Sequence, residues 1–147
     1  MNEANRVLMK LKQKDIINLA IPVSRHGEDV KYFKSESINE KIAVMEERII
    51  SLRNKGYKNI AIIAKDMNSC NEIYEKIDKQ KTEIKLLSEN FGKYEGGITI
   101  IPSYLSKGLE FDCVIIYGYD SFDDSDLDIK LLYVAMTRAM HSLEVII

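Results

Sequence analysis

Two short stretches, 59–64 (NIAIIA) and 113–117 (CVIIY), are apolar almost throughout and too brief to be helices. A strand with one wet face alternates polar and apolar residues. One that does not alternate has to be covered on both sides, as a strand inside a parallel sheet is. The flanking residues supply the covers. Ile38, Ile42, Met45, Ile49 and Leu52 recur at steps of four and three. That spacing predicts a helix with one apolar face, and Glu40, Glu46, Glu47, Arg48 and Arg53 fill its surface. Ser37 reads as its N-cap, with Glu40 completing a capping box, and Gly56 as its left-handed stop. Further helices are expected over 3–19, ending ahead of Pro22, and over 67–78 and 128–140. Strands are expected over 30–33, 84–87, 98–101 and 143–147, and 24–29 reads as a loop. Strand and helix alternate, and no repeat or linker interrupts them. This predicts one α/β domain over 1–147, a mainly parallel sheet between helices on both faces, three layers in all.

Composition narrows the function. In 147 residues, 46% are hydrophobic and 30% charged, an ordinary globular balance. A formal charge of −2 excludes a strongly basic nucleic-acid clamp but leaves room for a local basic stripe. Cys70 and Cys113 lack the partners of a zinc site or a disulfide framework and read as small core residues. No run approaches the ~18 apolar residues of a membrane span, and the opening MNEANRVLMKLKQK interleaves charges unlike a signal peptide. A cytoplasmic location is expected.

Several chemistries lack their residues. No GxxxxGK[ST] or GxGxxG is present to grip phosphates. Asp124, Asp126 and Asp128 take the first three ligand positions of a calcium loop, but Ile129 stands where glycine is required and Ala135 where glutamate is required. The acidic stretch reads instead as a solvated loop whose carboxylates cap the next helix. His26 and His141 read as surface residues, with no nucleophile-elbow serine or cysteine to serve. No metal site is expected.

Two segments resist explanation by packing alone. IPSYLSKGLEFD, 101–112, puts Lys107, Gly108 and Glu110 in a loop between two buried strands, at the carboxyl end of the first, where open α/β sheets bind ligands. A tight turn with two exposed charges is the plain alternative. In KLLYVAMTRAMH, 130–141, a continuous helix would set Arg138 about 20° from Leu131 and about 40° from Val134, on or beside an apolar face. A guanidinium there needs an anionic partner or an edge position. Either a carboxylate of the same domain pairs with it, or the arginine points outward at a phosphate held elsewhere.

Together these segments are recognisable. SYLSKGLEFDCVIIYG resembles motif V of UvrD/Rep-type superfamily-one helicases, and LLYVAMTRAMHSLEVI resembles motif VI, in the family's order. The IPSYLxKGLEFD wording is more like the HelD/helicase-IV-like branch. Weaker similarity covers 3–8 and 60–64. The resemblance implies a RecA-like (P-loop NTPase-like) second motor domain of an ATP-dependent DNA helicase or translocase. Such a domain closes on ATP and Mg²⁺ held mainly by a first domain. It implies Arg138 as the catalytic arginine finger, worth ~10³–10⁵ in rate in phosphoryl transfer generally. Glu110, with Gly108 beside it, would meet the ribose. Ser103, Tyr104 and Lys107 would face single-stranded DNA. Pro102 and Tyr104 stand where UvrD has threonine and histidine, so those two contacts do not transfer directly. Motif IV would fall just before residue 1, so the chain is expected to be the carboxyl-terminal part of a larger protein and inactive alone. The rival expectation is a catalytically silent module of the same fold that docks on a nucleic-acid enzyme such as RNA polymerase. A receiver-like domain would need an acidic pocket at strand ends, whereas these aspartates share one loop.

Overall fold

The computed structural model describes residues 30–80, 83–87, 94 and 96–147. The helix expected over 3–19, the loop over 24–29 and His26 lie outside them. The described elements, in chain order, are β1 (Lys31–Phe33), α1 (Ile38–Asn54), β2 (Ile60–Ala64), α2 (Met67–Lys76), β3 (Ile84–Leu86), β4 (Ile98–Pro102), β5 (Phe111–Tyr117), α3 (Asp126–Met136) and β6 (Ala139–Ile146). The strands form one sheet in the order β1-β6-β5-β2-β4-β3, and every pairing in it is parallel. Every residue of β2 is buried, as its unbroken apolar run requires. Its side chains divide between two cores. Ala61 and Ile63 meet the α3 face with Val114 and Ile116, whereas Ile60, Ile62 and Ala64 meet α1 and α2 with Cys113 and Ile115. The architecture is the expected three-layer αβα arrangement.

Local signals in the sequence account for most boundaries. The Ser37 hydroxyl accepts the Glu40 N–H at 3.1 Å, and the Glu40 carboxylate reaches back to the Glu36 N–H at 3.1 Å. The capping box therefore closes one residue farther upstream than its usual form. After α1 the chain turns at Gly56, whose φ of 100° suits glycine. The two cysteines are buried and free, and burial pushes the Cys70 thiol up to about 12.

Three expectations needed correction. The helix expected over 128–140 runs from Asp126 and stops at Met136. The last strand starts at Ala139, four residues earlier than 143. Pairing with β5 decides this: the Phe111 N–H takes the Arg138 carbonyl at 3.0 Å, drawing the chain out of the helix and into the sheet. Arg138 is thus in a turn, and the helical-wheel placement does not apply. The second correction concerns Arg48, which is no surface residue. Its Nε and Nη2 grip both oxygens of the fully buried Glu144 at 2.7 and 2.8 Å, and its guanidinium lies 4.7 Å over the Phe33 ring. The hydrogen bonds that Arg48 donates to Glu144, with the charge of that carboxylate, hold the Arg48 pKa above its ordinary value against the opposing effect of burial. Third, His141 is half-buried in β6 and stacks on Tyr57, ring centroids 5.8 Å apart.

Removing one member of a buried pair strands the other's charge, which typically costs about 3–5 kcal/mol. Arg48→Met is expected to lower stability by that order in urea unfolding. Combining it with Glu144→Leu should recover most of the loss. A single variant as stable as the wild type would show that the pair is dispensable.

Candidate functional site

In a parallel sheet all carboxyl ends lie along one edge and all amino ends along the other, so a loop's edge decides which residues it can join. Segment 103–110 leaves the carboxyl end of β4 and reaches the amino end of β5 without a helix. A single 3₁₀ turn, Ser103–Leu105, stiffens its start. Ser103 is buried, 1% exposed, and its hydroxyl donates to the Lys65 carbonyl at 2.8 Å. The buried Ser106 hydroxyl donates in turn to the Ser103 carbonyl at 2.7 Å. Ser103, expected to face single-stranded DNA, is instead turned inward, and the two serines fasten the segment to the end of β2. Tyr104, 40% exposed, and the exposed Lys107 present surface outward. The chain then turns through Gly108, with φ of 84° and open space where a Cβ would stand.

Glu110 is exposed and immediately precedes β5. The expectation that Lys107, Gly108 and Glu110 share the carboxyl end of β4 is corrected for Glu110. It sits at the amino edge, beside Arg138. Phe111 is paired with Ala139, so Glu110 and Arg138 are the residues that enter two adjacent strands. Between Phe111 and Cys113 the register shifts from Ala139 to Ser142, so β6 carries one extra residue between Ala139 and Ser142.

The half-buried Arg138 is held by its own turn. Its Nε donates to the Val134 carbonyl at 3.2 Å and its Nη2 to the Thr137 hydroxyl at 3.1 Å. Among the described residues no carboxylate forms an ion pair with it. Of the two alternatives open from the sequence, an acidic partner within the described domain is absent. Burial raises the Tyr133 phenol above the usual tyrosine range, and the Arg138 charge acts against that rise. A guanidinium with an open edge and, entering the neighbouring strand, a carboxylate fit one side of a nucleotide site, where they could meet phosphate and ribose hydroxyls. Among the described residues no cluster of His, Cys, Asp or Glu could hold a metal ion.

The acidic loop is solvated as expected at Asp120, Asp123, Asp124 and Asp126, but Asp128 is buried. Ser125 caps α3 by accepting the Asp128 N–H at 3.2 Å. Asp128, 6% exposed, takes the Asp123 N–H at 2.9 Å and the Lys65 ammonium at 2.9 Å. The Asp128 carboxylate raises the Lys65 pKa, first by its hydrogen bond and then by its charge. Sequence spacing gave no sign of this link between β2 and α3, because sixty-odd residues separate its ends. A cavity of about 490 Å³ under the amino ends of β3 and β4, lined by Arg53, Lys58, Glu83 and Lys85 among others, involves none of the expected site residues.

Comparison with known proteins bears on the fold. Residues 97–146, about a third of the chain, match the family model of the UvrD-like helicase C-terminal domain. The likeness carried by the two motifs is to that domain. No curated protein sequence matches the chain. Among solved structures, it is similar to the C-terminal domain of a possible DNA helicase from Lactobacillus plantarum WCFS1, at 22% identity and a TM-score of 0.71 over 96% of this chain and 83% of that one. The C-terminal domain of the DEAD-box protein Dbp5 follows at 13% identity and a TM-score of 0.54, over 80% and 74%. Arterivirus nonstructural protein 10, a helicase in complex with DNA, gives 9% identity and a TM-score of 0.52, over 78% of this chain and 28% of that one. The fold is that of RecA-like helicase C-terminal domains. No described helix is long and apolar enough to cross a membrane.

Arg138 makes two local bonds and anchors no buried charge, so Arg138→Ala is expected to cost no more than about 1 kcal/mol of stability. Thermal unfolding beside Arg48→Met checks this. Equal losses from the two variants would make Arg138 a structural residue.

Proposed function

We propose that this chain is the second motor domain of an ATP-dependent DNA helicase or translocase. In this reading it closes over a nucleotide held mainly by another domain. The observation that carries the proposal is the placement of Glu110 and Arg138 at the amino edge of β5 and β6, with no described carboxylate in an ion pair with the arginine. The family match over 97–146 includes both residues.

Bound ATP with Mg²⁺ supplies the phosphoryl bond whose hydrolysis drives such a motor. Arg138 presents a delocalised cation to the γ-phosphate and stabilises the charge that spreads over its oxygens as the bond breaks. Its role is electrostatic and needs no proton transfer, because a guanidinium stays charged at any working pH. Glu110 accepts hydrogen bonds from the ribose hydroxyls. Gly108, free of a side chain, lets backbone approach the nucleotide. At the other end of the same segment, Tyr104 offers a ring for base stacking and Lys107 a charge for the backbone of single-stranded DNA. Ser103 contributes by fixing the start of that segment. The arterivirus helicase that shares the fold was captured with DNA, which supports a nucleic-acid partner here. A cytoplasmic site of action accords with this reading.

Two measurements test it. The 147-residue chain alone is expected to show no ATP hydrolysis above background in a phosphate-release assay, and robust turnover would contradict the shared site. In a protein joining this domain to its phosphate-holding half, Arg138→Ala is expected to lower kcat by ~10³–10⁵. The Kd of a fluorescent nucleotide should change far less, as befits an interaction made mainly in the transition state. Unchanged kcat would refute the role of Arg138.

A further inference from the structure

An arginine that stabilises a transition state has to be held before the ligand arrives, or ordering it erodes the benefit. The turn after α3 contains a device that does this. The last carbonyls of a helix have no partner within it, and they form the negative end of its dipole. In α3 the Tyr133 carbonyl accepts the Thr137 N–H at 3.0 Å, and the Ala135 carbonyl accepts the Arg138 N–H at 3.2 Å. The Val134 carbonyl takes side chains instead. The Thr137 hydroxyl donates to it at 2.8 Å, and Arg138 Nε donates to it at 3.2 Å.

A hydroxyl has one proton to donate. With that proton directed at Val134, the Thr137 oxygen turns its lone pairs outward, and Arg138 Nη2 donates to it at 3.1 Å. The three groups close a ring in which each donor has a defined acceptor. The ring occupies the Nε/Nη2 edge of the guanidinium, the same edge that Arg48 applies to Glu144. Three of the five N–H groups of Arg138 remain, both on Nη1 and one on Nη2. They form the end-on fork, suited to two oxygens of a phosphate.

We propose that Thr137 is the positioning residue of Arg138. Its hydroxyl fixes which edge of the guanidinium is presented and holds that edge in place before any nucleotide binds. The catalytic part of this inference rests on the nucleotide-facing reading of Arg138, while the fixation itself does not. The isosteric Thr137→Val keeps the branched shape and loses the oxygen. Thr137→Ser keeps the oxygen, and Thr137→Ala provides a second variant without it should the valine fail to fold.

Two experiments separate the parts. In the ¹⁵N-labelled chain, solvent exchange of the Arg138 Nε proton is expected to quicken about tenfold in Thr137→Val or Thr137→Ala, as loss of one supporting hydrogen bond would cause. Thr137→Ser should match the wild type. Exchange that is equally fast in all four proteins would overturn the proposal. In the protein joined to its phosphate-holding half, Thr137→Val is expected to lower kcat about 10–100-fold with KM little changed, and Thr137→Ser to restore it. A purely structural cap would leave kcat unchanged at matched folded fraction, and that result would overturn the proposal as well. If Arg138→Ala itself leaves kcat intact, the nucleotide reading fails and the catalytic role of Thr137 falls with it. Proton exchange alone then decides the fixation.

Discussion

The parallel pairing of β5 with β6 is the constraint on which the candidate site rests. Its register sets Phe111 against Ala139 and thereby brings the two preceding residues, Glu110 and Arg138, to one edge from segments 28 positions apart. A slip of one residue would send every side chain to the opposite core. Both strands are covered on two faces, so no slipped register leaves a clean surface. Glu144 restricts the choice further. It lies opposite Ile115, and both its oxygens find donors in the interior only where Arg48 reaches them. The buried pair therefore admits one alignment of sheet and helix.

Arg48 and Arg138 show how one residue type serves two ends. Arg48 meets a buried carboxylate through its Nε/Nη2 edge and rests on an aromatic ring, so both its charge and its surface are consumed within the fold. Arg138 uses the same edge on neutral oxygens at the end of α3, which hold the group while leaving its charge uncompensated by any described carboxylate. The extra residue in β6 comes after Ala139, so the strand departs from regular pairing within its first residues past the arginine.

The 103–110 segment and α3 span the same face of the sheet in the same sense, each from the carboxyl edge to the amino edge. Near the carboxyl edge, Lys65 touches both, its carbonyl taking the Ser103 hydroxyl and its ammonium taking Asp128. At the amino edge, the Phe111 N–H meets the Arg138 carbonyl. The two segments are thus fastened together at both ends. Tyr104 and Lys107, on the proposed nucleic-acid side, share one short stretch of backbone with Glu110 on the proposed nucleotide side.

Sequence alone determined the strands that would be buried, the αβα layering, the Ser37 cap and the Gly56 stop. Each follows from residues close together in the chain, where apolar period and local hydrogen bonding suffice. The resemblance of 101–118 and 131–146 to helicase motifs V and VI was equally legible, because those residues stand in an unbroken order. Tertiary structure decided the rest. Helical periodicity carried α3 through Arg138, but pairing with β5 ended it at Met136. Arg48 read as a surface residue because its carboxylate lies 96 positions away, and Asp128 read as solvated because Lys65 is equally invisible from its neighbourhood. A side chain's partner across the sheet leaves no trace in local spacing, so only the folded chain could show which charges are neutralised inside it and which remain free to act outside.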